Sequence, residues 1–176
     1  MISKNAFYNG LFLGGALVVA SFSFYMANTK MFLIGKSQLL FIPFLILLFK
    51  TGGDARRING GYIDFKGLFK DMFFAAAIGT FLCTSFEYIL FNFIDPDLKI
   101  QMAENMRTVF KERGLEGNYL YEKSLEQIEN GQYFSLGSTI LAYLVKLIAP
   151  SALVAAMYAG IMKRKIKLPN IKNPKK

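Results

Sequence analysis

Residues 71–94 read DMFFAAAIGTFLCTSFEYILFNFI. Apart from Asp71 at its start, the stretch carries one charge, Glu87. At about 1.5 Å per residue, a helix of this length crosses a hydrocarbon core of about 30 Å. Lipid offers the backbone no hydrogen-bond partners, so such a run must satisfy itself as a helix. The alternation of a membrane β-barrel strand is missing. Three further apolar runs extend the pattern: residues 6–26 (AFYNGLFLGGALVVASFSFYM), 33–49 (LIGKSQLLFIPFLILLF) and 134–162 (FSLGSTILAYLVKLIAPSALVAAMYAGIM). The second is barely long enough to cross, and the fourth fits with tilt. The fold class this predicts is all-α: one membrane domain, residues 1–176, built as an integral membrane four-helix bundle. The first run is read as a retained span and not as a signal peptide, because it is long and lacks a convincing small-x-small cleavage site.

Composition agrees. Of 176 residues, 53% are hydrophobic, 18 are Phe and only 19% are charged, against about 25% charged in soluble domains. The absence of histidine excludes imidazole acid–base chemistry, Ser-His-Asp triads and His-ligated metals. A single cysteine, Cys83, leaves no intrachain disulfide and no thiolate cluster. Tryptophan is also absent, so Tyr and Phe take the interfacial positions.

The net charge of +9 is distributed as topology, not as a nucleic-acid footprint. Lys4, then Lys50, Arg56, Arg57, Lys66 and Lys70, then the tail from Lys163 through Arg164, Lys165 and Lys167 to Lys176, fall on one side of the four runs. The other side carries the acidic stretch with Asp95, Asp97, Glu104, Glu112, Glu116, Glu122, Glu126 and Glu129. By the positive-inside rule both termini are cytoplasmic, together with a basic loop (50–70) and a basic tail (163–176), and the insert (95–133) is extracytoplasmic.

The insert has its own periodicity. Leu98, Met102, Met106, Val109 and Phe110 recur at helical spacing, Gly114 and Gly117 interrupt, and Leu120, Leu125 and Ile128 mark a second helix over about 119–129 that Gly131 stops. This predicts an extracytoplasmic helical hairpin between spans three and four, either a solvated cap or a docking platform. On the basic side, Arg56, Arg57, Lys66 and Lys70 interleave with Tyr62, Phe65 and Phe69. They are candidate lipid-headgroup contacts, beside the plainer reading as topology signals. No Walker loop and no convincing internal repeat occurs.

Charges inside spans need a reason. Glu87, Lys146 and Lys36 fall at similar depth toward the outer side and form the candidate intramembrane polar site. Glu87 pairs with Lys146 or with Lys36, or the three line a polar site for an ion, a proton or a headgroup. Snorkelling accounts for Lys36 alone. Pro150 breaks the fourth span as a kink or a gate. Gly10-xxx-Gly14 and Ala156-xxx-Gly160 are small-residue faces expected to pack in the core. Cys83 reads as a buried filler, and Asn92 as a hydrogen-bonding residue across helices.

The basic loop leads into Asn59-Gly60-Gly61-Tyr62-Ile63-Asp64-Phe65, and the third span ends in Phe91-Asn92-Phe93-Ile94-Asp95-Pro96-Asp97, followed by a Met- and Glu-rich helical stretch. In these motifs the chain resembles a Bacteroidota inner-membrane family, domain-of-unknown-function family 4199. The resemblance implies four helices with a helical extracytoplasmic insert in a bacterial inner membrane. It carries over no catalytic residues, and it implies a polyprenyl-phosphate glycosyltransferase as partner. The sequence thus predicts a non-enzymatic accessory or scaffold subunit of a membrane complex, with membrane lipids and a membrane protein as partners and no cofactor, metal or nucleic acid. The alternative is a small transporter or lipid-binding protein that uses Glu87 and Lys146.

Overall fold

A computed structural model describes residues 3–34, 36–114 and 117–163, and of residues 31, 34, 36–38, 148 and 149 the main chain only. The basic tail from Arg164 onward lies outside the described residues. Among these residues every element is helical.

Helix α1 (Lys4–Ala27) starts at Ser3, whose hydroxyl accepts from the Ala6 N–H, satisfying one of the first-turn donors left without a helical partner. After Asn28 come the short α2 (Thr29–Ile34) and α3 (Lys36–Ile58). Helix α4 (Phe65–Ile89) is capped by Asp64, which accepts from the Gly67 N–H, and it runs on as a π turn over Leu90–Ile94. The insert then forms α5 (Leu98–Glu112) and α6 (Tyr119–Glu129). Gly114, Gly117 and Gly131 all have positive φ, which explains glycine at each of the breaks. Helix α7 (Leu136–Lys146), a π turn over Leu147–Ser151 and α8 (Ala152–Met162) complete the order.

Residues 50–70, expected as a loop, are mostly helical. Helix α3 continues through Gly52 and Gly53 to Ile58, and the turn is confined to residues 59–64. Gly52 serves packing here: a Cβ on it would stand 2.9 Å from Met72 Sδ.

Helix α4 is the hub. α1 lies along it most extensively, α3 packs on α1, α4 and α8, and α7 and α8 also pack on α4. The Gly10 and Gly14 face packs as expected, with Gly10 against Ala75 and Ile78 and Gly14 against Gly79 and Leu82. The second small-residue face is displaced by one residue. Ala155 and Ala159 are buried in the core, whereas a Cβ on Gly160 would meet nothing within 4 Å. Two apolar cores result. One joins Leu13, Leu48, Met72, Ala76 and Ala155 within the helix cluster. The other joins Phe32, Leu90, Phe91, Leu98, Ile128 and Phe134 and seats the α5–α6 hairpin on the ends of α2 and α4.

Polar ties mark both ends. At the basic end Ser3 Oγ donates to Asp71 Oδ2 at 2.8 Å, and Lys50 Nζ bonds Asp54 Oδ2 at 2.7 Å. The Lys50 hydrogen bond, with Arg57 nearby, holds the Asp54 carboxyl below its ordinary value. At the hairpin end the Tyr25 hydroxyl donates to Asp95 Oδ2 at 2.9 Å. Asp97 begins α5 without a side-chain capping hydrogen bond.

Candidate functional site

Glu87 and Lys146 meet. Lys146 Nζ lies 3.1 Å from Glu87 Oε2, with side chains 46% and 17% exposed respectively. Cys83 Sγ stands 4.0 Å from Glu87 Oε1, one helical turn earlier on α4, so the buried thiol is also a weak donor to the carboxylate. The side chain of Lys36 lies outside the described residues.

Both members of the pair sit at the start of irregular backbone. Glu87 precedes the π turn at Leu90–Ile94, which the Asp95 N–H closes onto the Leu90 carbonyl at 2.9 Å. Lys146 is the last residue of α7, immediately before the second π turn. Pro150 has no N–H to give the Lys146 carbonyl four residues back. Ser151 Oγ supplies the bond instead, at 3.0 Å. The kink expected at Pro150 is therefore a hydrogen-bonded π turn, a feature frequent at functional sites.

Beside the pair opens a cleft of about 460 Å³ between α4, α7 and the hairpin end, within the size range of small-molecule sites. Its apolar walls include Leu33, Phe91, Leu141 and Val145; Thr84, Glu87, Gln127, Tyr133 and Ser138 add polar atoms. Thr84 is 5% exposed, and its Oγ1 has no hydrogen-bond partner. Helix α7 forms one wall with no buried residue of its own. The Glu87–Lys146 pair, a 3.4 Å bond from the Tyr143 hydroxyl to the Ala77 carbonyl and the Phe81–Tyr143 edge contact tie it to α4. Asn92 closes the hairpin side: its Nδ2 donates to the Tyr88 and Phe134 carbonyls at 2.9 and 3.1 Å, and its Oδ1 accepts from Lys99 at 2.9 Å.

The sequence missed Thr84, Gln127, Tyr133 and Ser138. Thr84 was within reach, since it stands three residues before Glu87 on the same helix face. The others come from distant elements that only tertiary packing assembles. Arg56, Arg57, Lys66 and Lys70 lie at the opposite end, far along α4 from this cleft. Arg56 is half-buried, Arg57 faces Asp54 at 3.7 Å, and Lys66 and Lys70 are exposed. Among the described residues no group of three or more His, Cys, Asp or Glu stands ready to hold a metal ion.

No curated protein and no solved structure matches the chain. The family model described as "Protein of unknown function (DUF4199)" matches residues 8–164, nearly the whole chain, which therefore belongs to that family.

Proposed function

We propose that this chain is a four-span membrane protein, both termini cytoplasmic, that takes the polar head of an amphiphile into the cleft beside Glu87 and Lys146. Two helices, Lys4–Ala27 and Phe65–Ile94, are long and apolar enough to cross a membrane. α3 and the α7–α8 pair complete the set. The faces turned from the core favour lipid: Val19, Leu153 and Ile161 are 66%, 63% and 75% exposed, within a coat of apolar side chains on every long helix that water would not tolerate. The observation that carries the binding reading is the cleft itself. It joins an apolar wall to convergent polar atoms, and α7 beside it also exposes Ile140 and Leu144. A ligand held there keeps its chains in lipid and its head among polar groups.

The test is native mass spectrometry of the protein purified in mild detergent. Wild type is expected to retain a bound lipid mass that Ala142→Phe, which fills the cleft from α7, loses. Equal retention by both proteins, or none by either, overturns the reading.

A second reading, an accessory subunit of a membrane complex, draws on one specific feature. Ala156 and Gly160 form a half-buried small-residue face on which, among the described residues, a Cβ at Gly160 would meet nothing within 4 Å, and such faces let helices approach closely. The partner implied by the family resemblance is a polyprenyl-phosphate glycosyltransferase. Affinity purification in mild detergent checks it: a stoichiometric membrane partner that Gly160→Leu releases supports a subunit, and a lone monomer does not.

A further inference from the structure

We propose that α7 is a movable wall of the cleft, hinged at Ser135 and at the Leu147–Ser151 π turn and latched to α4 by Tyr143, whose displacement admits and releases the bound molecule. That the molecule is an amphiphile rests on the reading above; the motion of α7 stands on burial and backbone geometry.

The chain is anchored on both sides of α7 and lightly held between. Before it, Phe134 is buried, its ring stacks on Phe91 at 4.6 Å, and its carbonyl accepts from Asn92 at 3.1 Å. After it, Ser151, Ala155 and Ala159 are buried, the two alanines among the residues of α8 that face the helix cluster. Helix α7 is eleven residues long and buries none of them. Ser138, Thr139, Leu141, Ala142 and Val145 line the cleft, and Ile140 and Leu144 are exposed. Displacing the helix therefore uncovers little packed apolar surface, and segments with few buried contacts are those that open at least cost.

Both junctions are built to bend. Ser135, extended at φ −65° and ψ 158°, separates the 3-10 turn at Gln132–Phe134 from the first turn of α7. At the other end the π turn contains Pro150, and a side chain, Ser151 Oγ, serves the Lys146 carbonyl that the missing N–H leaves open. A few element-terminal residues of this kind are what absorb the backbone change in a hinge. The polar ties from α7 to α4 run through the tips of long side chains. Lys146 Nζ reaches Glu87 Oε2 beside the hinge, where it resists displacement least. Tyr143, one turn farther along, donates to the Ala77 carbonyl at 3.4 Å, longer than a usual hydroxyl bond. It is the tie that must release for the middle of α7 to move.

The experiment measures electron-spin distances on the full chain in a Cys83→Ala background. One label sits on α7 (Ile140→Cys) and one on α1 (Val19→Cys), both exposed positions; a second pair, Leu153→Cys on α8 with Val19→Cys, is the reference for a fixed helix. The α7 pair is expected to show a second distance component that the α8 pair lacks. Tyr143→Phe keeps the ring edge on Phe81 and deletes the hydroxyl. It should raise the share of that component relative to the first about threefold, the worth of one hydrogen bond between membrane helices. Pro150→Ala returns a backbone donor to the Lys146 carbonyl and should narrow the α7 distribution, a result that misfolding cannot produce. An α7 distribution no broader than that of α8, an unchanged ratio in Tyr143→Phe, or no narrowing in Pro150→Ala overturns the motion. Native mass spectrometry after dilution into lipid-free detergent then tests the gate. The retained lipid mass should be lost about threefold faster from Tyr143→Phe than from wild type. Equal rates beside a shifted distance ratio overturn the gate. Absence of retained lipid in wild type overturns the amphiphile reading, and with it the gate for that ligand, while the distances still decide the motion.

Discussion

Gly10 and Gly15 stand five residues apart on α1, and alanine at the two positions should act with opposite sign. A Cβ on Gly10 would lie 2.9 Å from Ile78 Cβ and 3.1 Å from both the Cα and the carbonyl oxygen of Ala75. Two of these three atoms are backbone of α4, so relief requires the helices to separate by several tenths of an ångström along the most extensive contact in the molecule. Overpacking of this kind costs about 1–3 kcal/mol. Alanine gains about 0.4–1 kcal/mol over glycine by restricting the unfolded chain. For Gly10→Ala the net is a loss of about 1–2 kcal/mol. At Gly15 a Cβ meets nothing within 4 Å, so Gly15→Ala keeps only the gain. Reversible unfolding in mixed micelles of mild detergent and dodecyl sulfate measures both on one scale. The prediction fails if Gly10→Ala matches or exceeds wild type, since the α1–α4 crossing would then not be as close as described.

Three further outcomes follow from the geometry. Glu87→Gln and Lys146→Met should couple by about 0.5–1 kcal/mol in a double-mutant cycle, the range of charges in contact at a partly exposed site. Asp54 has its carboxyl lowered chiefly by the Lys50 hydrogen bond. Its contribution to stability is full above the ordinary carboxylate value and lost as pH falls through the lower folded one. Unfolding curves from pH 6 into acid should therefore show a shallower acid loss in Asp54→Asn than in wild type. In a Cys83→Ala background, a membrane-impermeant maleimide should label Lys123→Cys in intact spheroplasts and Lys66→Cys only after lysis; the reverse pattern would invert the proposed topology.

Much of the fold is legible in single stretches. The insert is the clearest case: glycines at 114, 117 and 131 and the Leu98-to-Phe110 periodicity place both hairpin helices, because turn geometry and amphipathic spacing are local properties. Helices α1 and α4 announce themselves by length and apolarity, and a charge inside such a run must find a partner, so Glu87 stood out before its surroundings were known. Local pattern misled where glycine has two meanings. Residues 50–70 read as a loop, yet Gly52 lies inside α3, where a Cβ would run into Met72 and Met162. The choice between helix interruption and close packing belongs to the neighbour, and the neighbour is twenty residues away or more.

The sequence by itself determined the helical class, the hairpin and the place of each charge along its own segment, since each depends on composition and spacing within one segment. Tertiary structure alone decided that Glu87 takes Lys146, that Ala155 and Ala159 face inward instead of Ala156 and Gly160, and that Thr84, Gln127, Tyr133 and Ser138 converge on one cleft. Those outcomes depend on helix rotation and on the angle at the Leu147–Ser151 π turn. A rotation of one residue, about 100° at 3.6 residues per turn, exchanges a buried face for an exposed one while leaving the periodicity of the segment unchanged.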